Sequence, residues 1–266
     1  MKKFLTFAII LCCIITCTAF TACGKSVHID EINIVEPAST EIRAGEKFTL
    51  DFVTLPEEAA ESVKVKWDIS DSRRLSYKNG EFTALTCGTV KVTVSAKGNT
   101  ATDEIELRVI APAGFEEYSN TGYSLVYPSS WKSSTVGAVR QWTASNGTTN
   151  MNITTESLNP TYMKASASAF QTAFETNFAL MGYTVNFTQP VKVEKGKYLG
   201  VTRVQVTSIY TLTVGSRTSS IHQTQMIFNN ESAGLSCVLT VTFHEENFDD
   251  LAVQMQNTIF SQFMPA

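Results

Sequence analysis

The run His244-Glu245-Glu246-Asn247-Phe248 begins like the zinc-protease motif H-E-x-x-H. That motif needs two histidines one helical turn apart, because both imidazoles must reach the same metal ion. Phe248 occupies the position of the second histidine, so this run predicts no zinc site. His222 does not replace it, since strand alternation predicts that His222 and His244 lie on opposite faces of a hairpin. The sequence therefore predicts no metal-binding residue.

Hydroxyl and thiol nucleophiles occur without the neighbours that would activate them. Ser129 and Ser130 have no histidine or acid close by, and neither G-x-S-x-G nor a P-loop motif is found. Cys87 and Cys237 lie in separate strand-like runs, which favours two small buried residues over a disulfide or a catalytic thiol. We predict no catalytic residue, no cofactor and no enzyme. One alternative is an extracytoplasmic hydrolase whose site is assembled on the C-terminal sheet from scattered side chains.

The N-terminal stretch has the order of a secretory signal. Lys2 and Lys3 give a positive start, residues 4–15 are mostly apolar, and the small residues Thr21 and Ala22 precede Cys23. The apolar run is shorter than the roughly 20 residues of a membrane-spanning helix. This pattern predicts a signal peptide over residues 1–22.

The segment Phe20-Thr21-Ala22-Cys23 resembles the bacterial lipobox, with Phe20 where leucine is usual. The resemblance implies cleavage before Cys23 and attachment of diacylglycerol to its thiol, with residues 23–26 as a lipidated tether. The protein would then be extracytoplasmic and lipid-anchored to the bacterial cell membrane. Ordinary signal cleavage without a lipid is the alternative.

The charge balance limits the classes of partner. The full chain carries a formal net charge of −4, and loss of Lys2 and Lys3 would make the remainder more acidic. No basic cluster for nucleic acid is present. The same balance argues against an electrostatic membrane-binding face, so we expect membrane attachment through the Cys23 lipid alone.

Residues 27–111 read as short alternating strands separated by turn residues. Val63, Val65 and Trp67 alternate with polar residues, which predicts one buried and one wet face, and Trp67 is expected in the core. Asn79-Gly80 is typical of a hairpin turn.

The order of motifs in this region resembles the group 2 bacterial immunoglobulin-like domain. The motifs are Ala44-Gly45-Glu46, Leu55-Pro56, Val65-Lys66-Trp67, Asn79-Gly80-Glu81-Phe82 and Gly88-Thr89-Val90. The resemblance implies an all-β Ig-like sandwich that serves in adhesion or as a spacer and has no catalytic site.

Residues 112–114 are predicted to be a linker, because Pro112 and Gly114 break the strand pattern. In residues 115–266 we predict several strands and a turn at Lys195-Gly196-Lys197. A helix is predicted to follow Asn159-Pro160 and to bury a stripe that includes Met163, Phe174 and Met181. A last helix is predicted to be capped by Asn247, with a buried face of Phe248, Leu251, Met255, Ile259 and Phe263.

The Gly122-Tyr123 opening, the Tyr127-Pro128-Ser129-Ser130-Trp131 corner and the closing helix resemble the PsbP-like domain. The resemblance implies an α+β fold, an antiparallel sheet covered by helices on both faces. Such domains usually bind or assemble proteins, and the fold alone nominates no partner.

Trp142, Tyr198 and Tyr210 are the candidate recognition residues in this region. Amphipathic aromatics are enriched at interfaces, and these three lie in strands of mixed polarity. The alternative is that they pack beneath the flanking helices. We therefore expect a non-catalytic surface lipoprotein that has an Ig-like stalk and a head for a protein or cell-envelope partner; a structural spacer with no ligand is a further alternative.

Cys23→Ala is expected to release the protein into the medium, because no second anchor is evident in the sequence. Fractionation of cells and medium, with intact-mass measurement of the mature chain, tests this. Unchanged membrane retention of the variant, or a mature chain without added acyl mass, would contradict lipidation at Cys23.

Overall fold

The computed structural model describes residues 28–60, 63–137 and 139–266. The predicted signal peptide, Cys23 and the tether lie outside these residues. The described part of the chain is mostly β-sheet, with 53% of its residues in strands, and it contains two α-helices, α1 (Ala167–Leu180) and α2 (Asp250–Gln262). This confirms the expectation of a largely β protein.

Nineteen strands are found in the described residues. They are β1 (Glu31–Ile34), β2 (Glu41–Arg43), β3 (Lys47–Phe48), β4 (Phe52–Leu55), β5 (Val65–Ile69), β6 (Leu75–Lys78), β7 (Glu81–Ala84), β8 (Gly88–Ala96), β9 (Thr102–Ile110), β10 (Phe115–Asn120), β11 (Tyr123–Pro128), β12 (Lys132–Val136), β13 (Val139–Thr143), β14 (Asn150–Ser157), β15 (Thr184–Phe187), β16 (Lys192–Tyr198), β17 (Val201–Val214), β18 (Arg217–Asn230) and β19 (Leu235–His244).

The chain forms two compact units. The first comprises the described parts of residues 1–36, 51–68 and 93–104, and the second comprises residues 37–50, 69–92 and 105–266. Both sides of the predicted linker at 112–114 belong to the second unit. The boundary between an Ig-like and a PsbP-like domain therefore stays a prediction.

In the first unit, β1 pairs antiparallel with β4. Its core contains Ile29, Ile32 and Val94, and Trp67 packs against this cluster with its ring edge-on to Phe52, the centroids 6.4 Å apart. Trp67 therefore contributes to a core, as its alternation with valines predicts.

The second unit contains an eight-stranded antiparallel sheet. The strand order is β12-β13-β14-β19-β18-β17-β15, and β16 pairs with β17 beside β15. Because side chains alternate along each strand, both faces of this sheet carry apolar residues. One face has Val204, Val206 and Ile227, and the other has Met226 and Phe228.

Each apolar face is covered by one helix. Ala167 and Phe170 of α1 pack against the cluster that contains Val204. Ile259 and Phe260 of α2 are buried in the cluster that contains Phe228. The arrangement agrees with the predicted sheet between helices.

The predicted start of the first helix is wrong. Its predicted stripe does face the sheet, with Met163 and Phe170 packed against the core, but it is only partly buried. The side chain of Asn159 accepts from the backbone N–H of Thr161 and forms a local turn, so α1 begins only after Ser166, whose hydroxyl accepts from Ala169 N at 3.2 Å. No residue of α1 is fully buried, and Met181 is 56% exposed. The helix therefore covers its face of the sheet incompletely.

The cap of the last helix differs from the prediction, whereas its buried face agrees with the prediction except at one residue. Asp249 caps α2, since its carboxylate accepts from Ala252 N at 2.9 Å. As predicted, Ile259 and Phe263 are buried and Phe248 and Met255 pack against the same cluster, but Leu251 is 72% exposed.

The C-terminal end of α2 is tied to the segment 85–87 by one side chain. Gln262, which is 5% exposed, donates to Leu85 O at 2.7 Å and accepts from Cys87 N at 3.1 Å. Both backbone groups of this segment are therefore satisfied by a residue distant in sequence. Cys87 and Cys237 are free and buried, as predicted, and burial raises the pKa of the Cys87 thiol to about 12.

Gln262→Ala is expected to lower the free energy of unfolding by about 2–4 kcal/mol, because it leaves one buried N–H and one partly buried C=O without partners. Chemical denaturation of the full chain measures the effect. Gln254→Ala, an exposed substitution on the same helix, is the matched control and should change stability by less than about 0.5 kcal/mol. Equal effects of the two variants would contradict the role of Gln262.

Candidate functional site

Two of the three predicted recognition residues are core residues, which corrects the prediction for them. The Trp142 side chain is 0% exposed, and its ring lies between those of Tyr118 and Tyr127, at centroid distances of 5.1 and 5.2 Å.

Tyr210 is the second of these core residues. It is 2% exposed beneath α1, and its ring centroid lies 5.0 Å from that of Phe174. The Tyr210 hydroxyl donates to Gln223 Oε1 at 2.9 Å, and burial raises its pKa. Neither ring can contact a partner in this structure.

Tyr198 is different, because its side chain is 37% exposed at the end of β16. It borders a cavity of about 320 Å³ between β16, β17 and the end of α2. The cavity is lined by Glu194, Lys195, Gly196, Lys197, Tyr198, Arg203, Gln205, Met226, Phe260 and Ser261. We call it the Tyr198 cavity.

Strand pairing explains how these residues come together. β16 pairs antiparallel with β17, so that Gly196 is opposite Arg203 and Glu194 is opposite Gln205. On the next strand, Met226 is opposite Gln205. Cross-strand partners share a face of the sheet, so a row of side chains forms the floor of the cavity and α2 forms one wall.

Arg203 is the buried cation of this site. It is 6% exposed and is the only lysine, arginine, aspartate or glutamate among the buried residues of the described chain. Its Nη1 donates to Phe260 O at 2.8 Å, and its Nη2 donates to Phe263 O. These carbonyls belong to the C-terminal end of α2, where the helix dipole favours a positive charge.

No carboxylate neutralises Arg203 in the described part of the chain. Burial lowers the pKa of its guanidinium to about 10, still well above neutral pH, so the group is charged. The ring of Tyr198 lies 4.8 Å from the guanidinium carbon and provides a cation–π contact. Arg203 Nε is buried and has no hydrogen-bond acceptor.

Gly196 keeps the cavity open. A Cβ atom at this position would meet no heavy atom within 4 Å, and the backbone there is not in the left-handed region.

The predicted turn at Lys195-Gly196-Lys197 is wrong. Gly196 lies inside β16, and the chain turns at Leu199-Gly200, both of which have positive φ. β16 continues to Tyr198 because every one of its residues is paired with a residue of β17.

The Tyr198 cavity has the size and composition of a small binding site. A concave site of this size with apolar walls and a few polar groups fits small ligands or single side chains. Tyr198, Met226 and Phe260 supply apolar surface, and Arg203, Gln205 and Ser261 supply polar groups. A ligand that combines an apolar stem with a negative charge matches this composition.

The histidines lie as predicted, on opposite faces. His222 pairs with Phe243 and His244 with Ile221, so their side chains diverge. The His222 ring stacks on Phe248 at a centroid distance of 3.5 Å, and burial lowers its pKa. Within the described residues, no group of three or more histidine, cysteine and acidic side chains is placed to hold a metal ion.

A histidine within hydrogen-bond reach of a serine would favour a hydrolase. His244 lines a second cavity, of about 550 Å³, together with Ser219, Ser220, Glu245 and Glu246. No hydrogen bond joins a serine to either His222 or His244 in the described residues, and the Ser129 hydroxyl donates to Gly114 O. The geometry brings these residue types together without forming a nucleophile–base pair.

No family model matches the chain, and no curated protein matches it. Among solved structures, the chain is similar to a mutant of the protein Mog1, with 9% identity and a TM-score of 0.38. The match covers 56% of this chain and 95% of that one. A second is the Saccharomyces cerevisiae Ran-binding protein Mog1p, with 8% identity, a TM-score of 0.37 and coverage of 56% and 94%. TM-scores of this size support no conclusion about fold or function.

No helix in the described residues is both long and apolar enough to cross a membrane.

The burial of His222 gives a pH prediction. Because its pKa in the folded state lies below the ordinary value of 6.5, the unfolded chain binds the proton more readily. Its contribution to stability is therefore full above pH 6.5 and is lost as the pH falls toward the folded pKa. His222→Phe removes this titration and preserves a ring that can stack on Phe248. Melting temperatures measured between roughly pH 7 and pH 5 should fall less for the variant than for the parent chain; parallel decreases would rule out His222 as a cause.

Proposed function

We propose that the protein is a non-catalytic cell-surface lipoprotein that recognises a protein or cell-envelope partner. A lipid on Cys23 attaches it to the membrane, residues 27–111 form an Ig-like stalk of the group 2 bacterial type, and residues 115–266 form a PsbP-like binding head. The observation that carries the binding function is the Tyr198 cavity, in which a half-exposed aromatic ring lies over a buried and uncompensated cation.

The lipid anchor is supported by the sequence around Cys23. A diacylglyceryl group holds a protein firmly at a bilayer, whereas a single acyl chain binds only marginally. A chain with an acidic balance gains no attraction to anionic lipid headgroups. The lipid therefore supplies the attachment in this proposal.

Binding is favoured over catalysis by the groups at the Tyr198 cavity. Arg203 is engaged by helix carbonyls, and the other lining side chains include no histidine, cysteine or aspartate. Glu194 is ion-paired with Lys192 at 2.8 Å. A general acid or base needs a free proton-transfer group beside the substrate. The side chains of Lys195 and Lys197 lie on the other face of the sheet, since these residues are opposite Val204 and Thr202.

The role of a pure spacer is less well supported. A spacer needs no concave surface, and it gains nothing from an exposed aromatic ring over a buried charge. Tyr198 and Arg203 create both features in the same place.

The proposal predicts that Tyr198→Ala weakens partner binding by about 2 kcal/mol, because the ring is the exposed aromatic wall of the cavity. Partners are cross-linked in the native envelope to the full chain and identified, and the affinity of each is then measured for the parent and variant chains. The melting temperature should be nearly unchanged.

Tyr77→Ala is the matched control, since Tyr77 is 39% exposed and lies on β6, away from the residues that line the cavity. A partner that loses affinity only with Tyr198→Ala supports the proposal. If every captured partner binds the parent chain and the Tyr198 variant equally, the cavity is not the recognition site.

A further inference from the structure

Strand β16 has one free edge. β16 pairs with β17 on one side, and no described strand pairs with its other side. An unpaired edge presents backbone N–H and C=O groups that an extended segment of another chain can bind as an additional strand. The Tyr198 cavity lies directly beside this edge, since five consecutive residues of β16 line it.

The cross-strand row of residues that contains Gly196 and Arg203 lacks a side chain at Gly196. Gly196 is opposite Arg203 on β17, and a strand added to the free edge would place one of its residues opposite Gly196 on the other side. That residue and Arg203 would be on the same face of the sheet, with their backbones about 10 Å apart, or two strand spacings. Gly196 has no side chain, and the space above it is open, so two long side chains can meet there.

The charges around this row favour an acidic side chain. Arg203 has no carboxylate partner, and its Nε has no acceptor. Lys195 and Lys197 are opposite Val204 and Thr202, so their side chains lie on the other face of the sheet from Arg203. Glu194 is the one acidic residue that lines the cavity, and its charge is balanced by Lys192. On the face that carries the cavity, an incoming carboxylate therefore meets Arg203 as a cation that no carboxylate of the described residues neutralises.

We propose that an extended segment of the partner adds to the sheet along the free edge of β16 and places a glutamate or aspartate opposite Gly196. Its carboxylate crosses Gly196 and accepts a hydrogen bond from Arg203 Nε, which becomes accessible when the half-exposed Tyr198 ring moves aside. Backbone pairing provides affinity and the carboxylate provides selectivity. This inference rests on the proposed binding function and assigns its partner a chemical class.

Because Arg203 lies beside the free edge of β16, the site favours a polypeptide ligand over a free anion. A small carboxylate would contact Arg203 but would leave the backbone groups of the β16 edge unpaired. An extended peptide satisfies both at once, because alternate residues of a strand point to the same face and the others point away. The apolar stem of a glutamate also contacts Tyr198 and Met226, which line the path.

The test uses blocked synthetic peptides of the same length as β16, seven residues, built from threonine and valine with a variable central residue. That residue is glutamate, glutamine or lysine. Binding to the full chain is followed by the NMR amide signals of β16. The glutamate peptide should bind about tenfold more tightly than the glutamine peptide, since hydrogen bonds to charged groups are stronger than neutral ones, and the lysine peptide should bind most weakly.

Gly196→Val is the decisive variant. The backbone at Gly196 accepts any residue, and the added side chain meets no neighbour within 4 Å of its Cβ, so the sheet should remain folded while the row to Arg203 is blocked. The preference for glutamate over glutamine should disappear. Thr202→Val is the matched control, because Thr202 is exposed on β17 opposite Lys197 and its side chain lies on the other face; the preference should persist there.

Three results would overturn the inference. They are equal affinities for the glutamate and glutamine peptides, a preference that survives in Gly196→Val, and β16 signals that shift as much with acetate as with the glutamate peptide. If any of these occurs while an envelope partner still loses affinity with Tyr198→Ala, the inference fails and the proposed function stands. If the peptides behave as expected but no envelope partner responds to Tyr198→Ala, the proposed function fails instead.

Discussion

The alternation of side chains along β17, β18 and β19 is the constraint on which the rest of the second unit depends. Each of these strands has at least ten residues, and each carries apolar side chains on both faces. Such a sheet exposes two apolar surfaces to water unless something covers both. The two helices meet this requirement, and the placement of α2 brings its C-terminal carbonyls over Arg203. The buried charge at the Tyr198 cavity is thus a consequence of how one face is covered.

The two helices cover their faces unequally. α2 buries Ala252, Ile259 and Phe260 and anchors its end through Gln262. α1 has no fully buried residue and leaves Leu180 82% exposed. Because stability follows buried apolar contact and satisfied backbone groups, we expect α1 to open locally more readily than α2. The Tyr198 cavity lies on the better-ordered side, which suits a site that must hold Arg203 in one place.

Local patterns predicted the elements well and the contacts between them poorly. Alternation placed the strands of β17–β19 and separated His222 from His244, because a period of two requires nothing beyond the strand itself. It could not show that Trp142 and Tyr210 face covered surfaces, since that depends on the packing of β10 and β11 over Trp142 and of α1 over Tyr210. The cap of α2 was misassigned to Asn247 because Asn247 and Asp249 have equally suitable side chains, and only the observed hydrogen bond to Ala252 N distinguishes them. Arg203 carried no local signal at all, as its carbonyl partners are 57 and 60 residues away.

The composition of β16 also affects how copies of this protein behave beside one another. Its seven residues include Lys192, Lys195 and Lys197, and two such edges brought together would set rows of ammonium groups side by side. Gly196 further weakens the strand as a template, because glycine contributes no cross-strand packing. At the high local concentration that the proposed lipid anchor would give, open sheet edges tend to join into aggregates. A lysine-rich edge interrupted by glycine resists such self-pairing, and it remains open to segments of opposite charge.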